Sequence, residues 1–477
     1  ADTEAAMKAG ADLIVQGALG QGVWSGHPDI LRRLETPSAL GAWSYEVLDT
    51  KLARETTGAT VLQLCLYADL LSGAQGARSE HVAAVTPAHA GFREDVYRVD
   101  AYAAFYRRVR RQLESVLAQP VSHSYPEPVP ACDTCRWFET CDTRRRADDH
   151  LSFVANLAGA HRAELKDHGV ETLTTFASTP LTWKPNRGAI ETYENLQRQA
   201  AIQLKGRQTG APVYELIPHR DGLGLARLPA PSPGDIFLDF EGDRFVPGGG
   251  LEYLLGYVYA DASGGYVYAR DWAVDRAQEK QAFERFIDFV LARLELYPDL
   301  HIYHYAHYEV DALKRLMGRY ATCEDALDRL LRSDRFVDLY NVVRNGLRAS
   351  VESYSIKKLE SFSGYVRQTG LPDANRSLGR VQAALELDKS LEDMDADCAI
   401  VERYNEDDCR STLALRDWLE ALRDELLVSG ALFDRPLPKS AEPSEKLTAR
   451  MAAAEALAAR LAGDLAVDPA ERSPEDQ

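Results

Sequence analysis

Phe237-Leu-Asp239-Phe-Glu241-Gly-Asp243 sets two carboxylates two residues apart in an apolar run. On a strand, that spacing points both from one face. They repel each other unless a cation neutralises them. Tyr404 and Asp408 stand four apart in a helical stretch, and His304-Tyr-Ala-His-Tyr-Glu309 ends a strand and opens a helix, with Asp311 close behind. Nearer the start, Asp29 follows Gly26, Asp49 and Lys51 share one face of a strand, and Gln63 and Tyr67 share one face of a helix. Two carboxylates and a lysine can carry phosphodiester hydrolysis: the acids hold Mg²⁺, and the lysine orients water or offsets developing charge. Cys132, Cys135 and Cys141 form a third cluster. Three thiolates so close can share a soft metal; the other reading is three free thiols in a loop. Zinc and a cubane iron–sulfur cluster each need four ligands, and this run supplies three.

The chain that must position these groups has 477 residues, 45% hydrophobic and 27% charged, with net charge −18. That composition excludes disorder throughout. The acidic balance argues against a general polyanion binder, but local patches and metal ions set the field at a site. Seven cysteines in a chain this long do not make a disulfide framework. No apolar run approaches the roughly 18 residues of a membrane span, and no signal peptide is visible. The first residue is Ala rather than Met, which reads as a cut. No phosphate-binding Gly-x-x-x-x-Gly-Lys motif occurs, so no ATPase motor is expected.

Hydrophobic periodicity predicts strands over 23–31, 45–52, 81–86 and 95–99, with helices over 60–71 and 100–117. A Pro-rich break at 120–130 precedes the cysteines. Helices follow over 150–177, hinged at 167–170, and over 191–204, and then a linker at 228–234. A second α/β pattern has strands at 236–241, 253–260, 266–272 and 301–306, with helices at 278–296, 309–319 and 391–427. An Ala-rich helix over about 445–465 closes the chain. Arg107, Arg108, Arg110 and Arg111, then Arg144, Arg145 and Arg146, flank the cysteines; they would meet phosphates without reading sequence, or form solvated helix faces. His81, His89 and His123 look incidental.

The set Gly26/Asp29, Asp49/Lys51, Gln63/Tyr67 resembles the RecB-like branch of the PD-(D/E)xK nucleases. The resemblance implies metal binding by Asp29 and Asp49, catalysis by Lys51, and positioning by Gln63 and Tyr67, with Glu4 a weak further ligand. Cys132, Cys135 and Cys141 resemble the triplet of iron–sulfur nucleases of the RecB/AddB type, which implies a four-iron four-sulfur cluster. The fourth cysteine of that pattern is not found here; Cys65 is expected to be packed, and the ligand is either in a removed segment or the cluster is lost.

Asp239, Glu241, Tyr404 and Asp408 resemble the DEDD exonucleases of the RNase-H-like fold, in particular the YprB-type branch. The resemblance implies Asp239, Glu241, Glu309 and Asp408 as Mg²⁺ or Mn²⁺ ligands, Tyr404 as the water-orienting residue, and two-metal hydrolysis. His304 and Glu309 depart from the family's middle motif, with Asp311 in reserve; Lys357 and Lys358 could touch a strand or form a basic face. The stretch 165–173 resembles a helix–hairpin–helix element or is simple helix packing.

The expected architecture is α/β: a restriction-endonuclease-like nuclease domain (1–120), a cysteine triplet and helical linker (121–230), an RNase-H-like exonuclease domain (231–428) and a helical tail (429–477). The implied role is cytoplasmic DNA repair, recombination or defence against foreign DNA, on single strands or free ends, with a helicase domain or subunit as partner. An RNA-directed 3′-5′ exonuclease and a non-catalytic DNA-binding adaptor are the alternatives.

Overall fold

Two parallel neighbouring strands need a crossover between them, and an apolar helix is the usual one. Residues 1–127 are built round such a unit. In a computed structural model, which describes residues 2–88, 91–120, 125–186, 188–431, 433–436, 439–442 and 445–463, the chain divides into two compact units, Ala1–Glu127 and Pro128–Gln477. His89 and His123 lie outside the described residues.

The first unit runs α1 (Asp2–Ala9), β1 (Leu13–Val15), β2 (Leu19–Gln21), β3 (Trp24–Gly26), β4 (Ile30–Leu34), β5 (Ser44–Thr50), α2 (Gly58–Gln75), β6 (His81–Pro87), β7 (Phe92–Arg98) and α3 (Val99–Leu117). The strands order β1-β4-β5-β6-β7, with β5 and β6 parallel and the other pairs antiparallel. Helix α2 makes the crossover, starting at the Thr57 cap and stopping at Gly76, whose φ of 66° suits glycine. Its Leu64, Leu70 and Leu71 pack against Leu31, Tyr45, Val47 and Val82 of the sheet. The single strand expected over 23–31 is two, because Pro28 has no N–H for a ladder and the chain turns at 27–29 before β4.

The second unit opens with four helices, α4 (Phe138–Ala147), α5 (Gly159–Asp167), α6 (Leu173–Ser178) and α7 (Ile190–Thr209), and a short strand β8 (Tyr214–Leu216). The helix expected from His150 starts later, after a 3₁₀ turn at Leu151–Phe153. Leu165, Val170 and Leu173 at the 165–173 turn are buried with Phe176 and Tyr193, so this element packs helix on helix. Then come β9 (Ile236–Asp243), β10 (Leu251–Ala260), β11 (Tyr266–Trp272), α8 (Arg276–Leu296), β12 (Ile302–His304), α9 (Tyr308–Tyr320), α10 (Glu324–Arg332), β13 (Phe336–Asp338), α11 (Leu339–Gly346), β14 (Leu347–Ala349), α12 (Ile356–Ser363), α13 (Leu371–Glu386), α14 (Asp395–Val428) and α15 (Glu445–Ala462).

The sheet order is β11-β10-β9-β12-β13: an antiparallel meander, then two parallel additions. Alternation along β9 divides the core. Ile236, Leu238 and Phe240 pack with Phe283, Phe286, Leu313 and Leu316 of α8 and α9. Phe237 packs on the other face with Cys409, Leu415 and Leu419 of α14. Asp239 and Glu241 share the face of Phe237 by the same alternation. A buried ion pair, Arg416 Nη1 to Asp235 Oδ2 at 2.7 Å, ties α14 to the start of β9, and the guanidinium lies over the rings of Phe237 and Tyr303. That pair fixes the register that brings Asp408, two turns earlier on α14, to Asp239.

Packing groups the segment after the cysteines with the strands and helices that follow it. The expected linker belongs to the second unit: β8 pairs with β14, and Gln199 of α7 donates to the Ala349 carbonyl at 3.0 Å. The 228–234 stretch is no free tether either, since Leu228 is buried and Arg293 binds the carbonyls of Pro233 and Gly234. A proline-rich composition marks irregular backbone, not its packing. Among the described residues, no helix is long and apolar enough to cross a membrane.

Candidate metal centre

The acids of β9 and α14 meet. Ligand oxygens of Asp239, Glu241 and Asp408 all lie within 4.8 Å of one another. Asn405, one residue past Tyr404, locks the first: its Nδ2 donates to Asp239 Oδ2 at 2.8 Å and to the Asp239 carbonyl at 3.0 Å, while its Oδ1 accepts from Tyr268 Oη at 2.8 Å. The space for that amide exists because residue 256, opposite Asp239 on β10, is glycine. A Cβ there would overlap Asn405 Oδ1. Gly256→Ala is therefore expected to lower stability by about 1–3 kcal/mol and to misplace Asp239. Urea denaturation reads this; an unchanged midpoint would refute the packing argument.

Asp408 is held from the other side by an ion pair to Arg367 and by Lys357, whose Nζ is 3.6 Å from Oδ2. Arg367 also binds Glu360. Lys357 and Arg367 both lie over the Tyr404 ring. Burial, then the charges of Asp408, Glu241 and Glu309, raise the Asp239 carboxyl well above its ordinary value. Burial and Asp408 likewise raise Glu241. Burial with the same acids also raises the Tyr404 phenol. It stays protonated at neutral pH, able to donate or accept a hydrogen bond to a water.

Glu309 stands at the start of α9, buried, its Oε2 without a hydrogen-bond partner and 3.7 Å from the equally unpartnered Nδ1 of buried His304. Its field reaches Asp239 and Glu241, though it is outside the 4.8 Å set. Asp311 is half exposed beside Lys314 and does not compete with it.

This donor set fits a hard divalent cation. It is all oxygen, burial and then the neighbouring acids push the carboxyls of Asp239 and Glu241 toward neutrality, and one buried carboxylate oxygen, Glu309 Oε2, lacks a partner. Bound there, Mg²⁺ or Mn²⁺ would activate water and screen a phosphate.

Residues 236–420 match the family model RNase_H_2, of the RNase_H superfamily. They form an RNase H-like domain. No curated protein and no solved structure matches the chain significantly. In the RNase H-like domain, Asp239, Glu241, Tyr404 and Asp408 come together on the sheet face covered by α14, with Glu309 entering from α9. Sequence reasoning missed Arg367, Asn405 and Gly256. Asn405 could have been found as an amide within the motif Tyr404–Asp408, on the stripe of Val401, Asp408 and Thr412, the buried side of α14.

The first unit gathers its own set. Thr50 donates to Asp29 Oδ2 from its backbone at 2.7 Å and its hydroxyl at 2.6 Å, and Gln16 donates to Oδ1 at 2.9 Å. Burial pulls the Asp29 carboxyl up, but the Thr50 and Gln16 hydrogen bonds and the Lys51 charge hold it below its ordinary value. The Asp29 backbone N–H reaches Asp49 Oδ1 at 3.4 Å. Lys51 pairs with Asp49 and donates to Gln63 Oε1 at 3.0 Å, and Gln63 Nε2 donates to Tyr67 Oη at 2.8 Å. The Tyr67 ring occupies the place a Cβ on Gly26 would take. Glu4 is exposed on α1.

The thiols of Cys132, Cys135 and Cys141 are unpaired and do not form a comparable ligand set, and Cys65 is buried in the core. Arg145 departs from the expected basic face: it is 3% exposed, 3.5 Å from Asp142 and over the Phe138 ring, so its charge is turned inward. Arg144 lies 3.7 Å from Asp148, and Arg107, Arg108, Arg111 and Lys358 are exposed.

Proposed function

We propose that the protein is a metal-dependent DNA nuclease with two catalytic centres. The observation that carries this reading is the convergence of Asp239, Glu241 and Asp408 within 4.8 Å in an RNase H-like domain, whose superfamily points to nuclease-type phosphodiester hydrolysis. Asp239, Glu241, Asp408 and Glu309 hold the ions, Tyr404 orients the attacking water, and Lys357 and Arg367 offset charge on the phosphate. The first unit acts as a RecB-like nuclease. Its support is the continuous chain from Asp29 through Asp49, Lys51 and Gln63 to Tyr67. The substrate is single-stranded or end-containing DNA in the cytoplasm, in repair, recombination or defence, alongside a helicase. Cys132, Cys135 and Cys141 belong to this proposal as a soft-metal site completed by a fourth ligand; iron and zinc analysis with a visible spectrum tests it.

Labelled single-stranded DNA, duplex DNA and RNA incubated with Mn²⁺ or Mg²⁺ test the main reading. Cleavage of DNA that EDTA stops is expected. Cleavage of RNA alone would move the assignment to an RNA exonuclease, and binding without cutting would leave an adaptor.

A further inference from the structure

Helix α14 carries a second stripe beside the one that faces the acids. Residues 404 and 408 point at the metal centre, while 400, 403 and 407 lie about a quarter-turn round the helix. Ile400 and Arg403 of that neighbouring stripe line a hollow of about 300 Å³. The two places share a wall, the chain from 365 to 370. Arg367 reaches Asp408 on one side of it. On the other, the N–H groups of Gln368 and Thr369 donate to Asp407 at 3.0 and 2.9 Å, so Asp407 is satisfied internally.

Three guanidinium groups line the hollow, Arg376, Arg380 and Arg403, against Asp373 and Asp397. The Arg376–Asp373 and Arg380–Asp397 contacts are long, 3.4 and 3.5 Å, and their arginines are largely exposed. Such pairs hold little energy and exchange partners readily. Arg403 is exposed and has no ion-pair partner among the described residues. The amino end of α13, capped by Gly370 with no side-chain acceptor, opens on the same space. The second, independent observation is Thr369. It is 8% exposed, lines the hollow, and its Oγ1 has no hydrogen-bond partner. A buried hydroxyl left so is costly unless a ligand uses it.

We propose that this hollow is a phosphate subsite, gripping the sugar–phosphate backbone of the strand next to the linkage presented to Asp239, Glu241 and Asp408. It rests on the nuclease reading above. Its contacts are charge and hydroxyl, with no donor–acceptor pattern for base edges, so it holds any sequence.

Fluorescein-labelled oligothymidylate tests it, with binding followed by anisotropy across a salt series in Ca²⁺ and cleavage followed in Mn²⁺. Arg403→Ala and Arg380→Ala are each expected to weaken binding several-fold and to reduce the slope of log K against log salt by about 0.7, the share of one phosphate on a single strand. In cleavage the change falls on KM more than on kcat. Thr369→Val keeps the backbone bond to Asp407 and the volume, so its melting temperature holds or rises while its affinity drops. If the unsubstituted protein binds and cuts while these variants keep its affinity and salt slope, the subsite is overturned and the nuclease reading stands. If it neither binds nor cuts, the nuclease reading fails and takes the subsite with it.

Discussion

Asp239→Asn is expected to yield a protein that folds more stably without metal and whose RNase H-like domain cuts at least about a hundredfold more slowly with it. The two effects have one origin. Asp239 is surrounded by Asp408, Glu241 and Glu309, and burial keeps water from screening them. Removing one charge relieves that repulsion and gains about 1 kcal/mol in the metal-free state, as removal of strain at functional sites commonly does. The asparagine can still accept the hydrogen bond from Asn405, so the backbone stays put. In the unsubstituted protein, a divalent ion at a hundredfold excess over its dissociation constant adds about 2.7 kcal/mol. The variant forfeits most of that gain. Thermal denaturation with and without MnCl₂ separates the curves, and an equal Mn²⁺ shift in both proteins would place the ion elsewhere.

Lys51→Ala is expected to remove cleavage by the first unit, again by about two to three orders of magnitude, through a different route. The lysine bridges the buried Asp49 carboxylate and Gln63, so alanine leaves Asp49 without its cation and Gln63 without its donor. Metal affinity should not fall, since neither Asp29 nor Asp49 is lost and a competing positive charge is gone. Stability drops by about 1–3 kcal/mol, the cost of an orphaned buried acceptor. Paired with Asp239→Asn, the variant apportions the cutting: each single substitution removes one component, and the double removes both. Full activity in Lys51→Ala, with none in Asp239→Asn, would assign all hydrolysis to the second unit.

How much of this was legible depends on how local each signal was. Asp239 and Glu241 are readable because strand alternation fixes their common face, and Tyr404 and Asp408 because helical spacing does. The crossover helix carrying Gln63 and Tyr67 announces itself as an apolar stretch between two strand patterns. Arg367 and Gly256 were not legible. One is a cation whose partner lies 41 residues away, and the other a glycine whose meaning depends on an amide arriving from α14. Arg145 misled because a run of arginines reads as a solvated face, yet one of them turns inward over Phe138. The helical segment after the cysteines looked like a spacer because its buried residues answer to β14 and the 351–354 turn, about 150 positions later. Local pattern has no access to such pairings.

Helix α14 contributes its aspartate from far down the chain: Asp408 is encoded well after Asp239 and Glu241, and Arg416 must dock on Asp235 before the register is fixed. A polypeptide still emerging from the ribosome thus carries β9 with half a cutting centre and no means of completing it. Hydrolytic power in this domain arrives late in translation and all at once. A chain truncated by premature termination or proteolysis before residue 395 lacks α14, and with it Tyr404 and Asp408, and so never assembles the acidic centre of this domain.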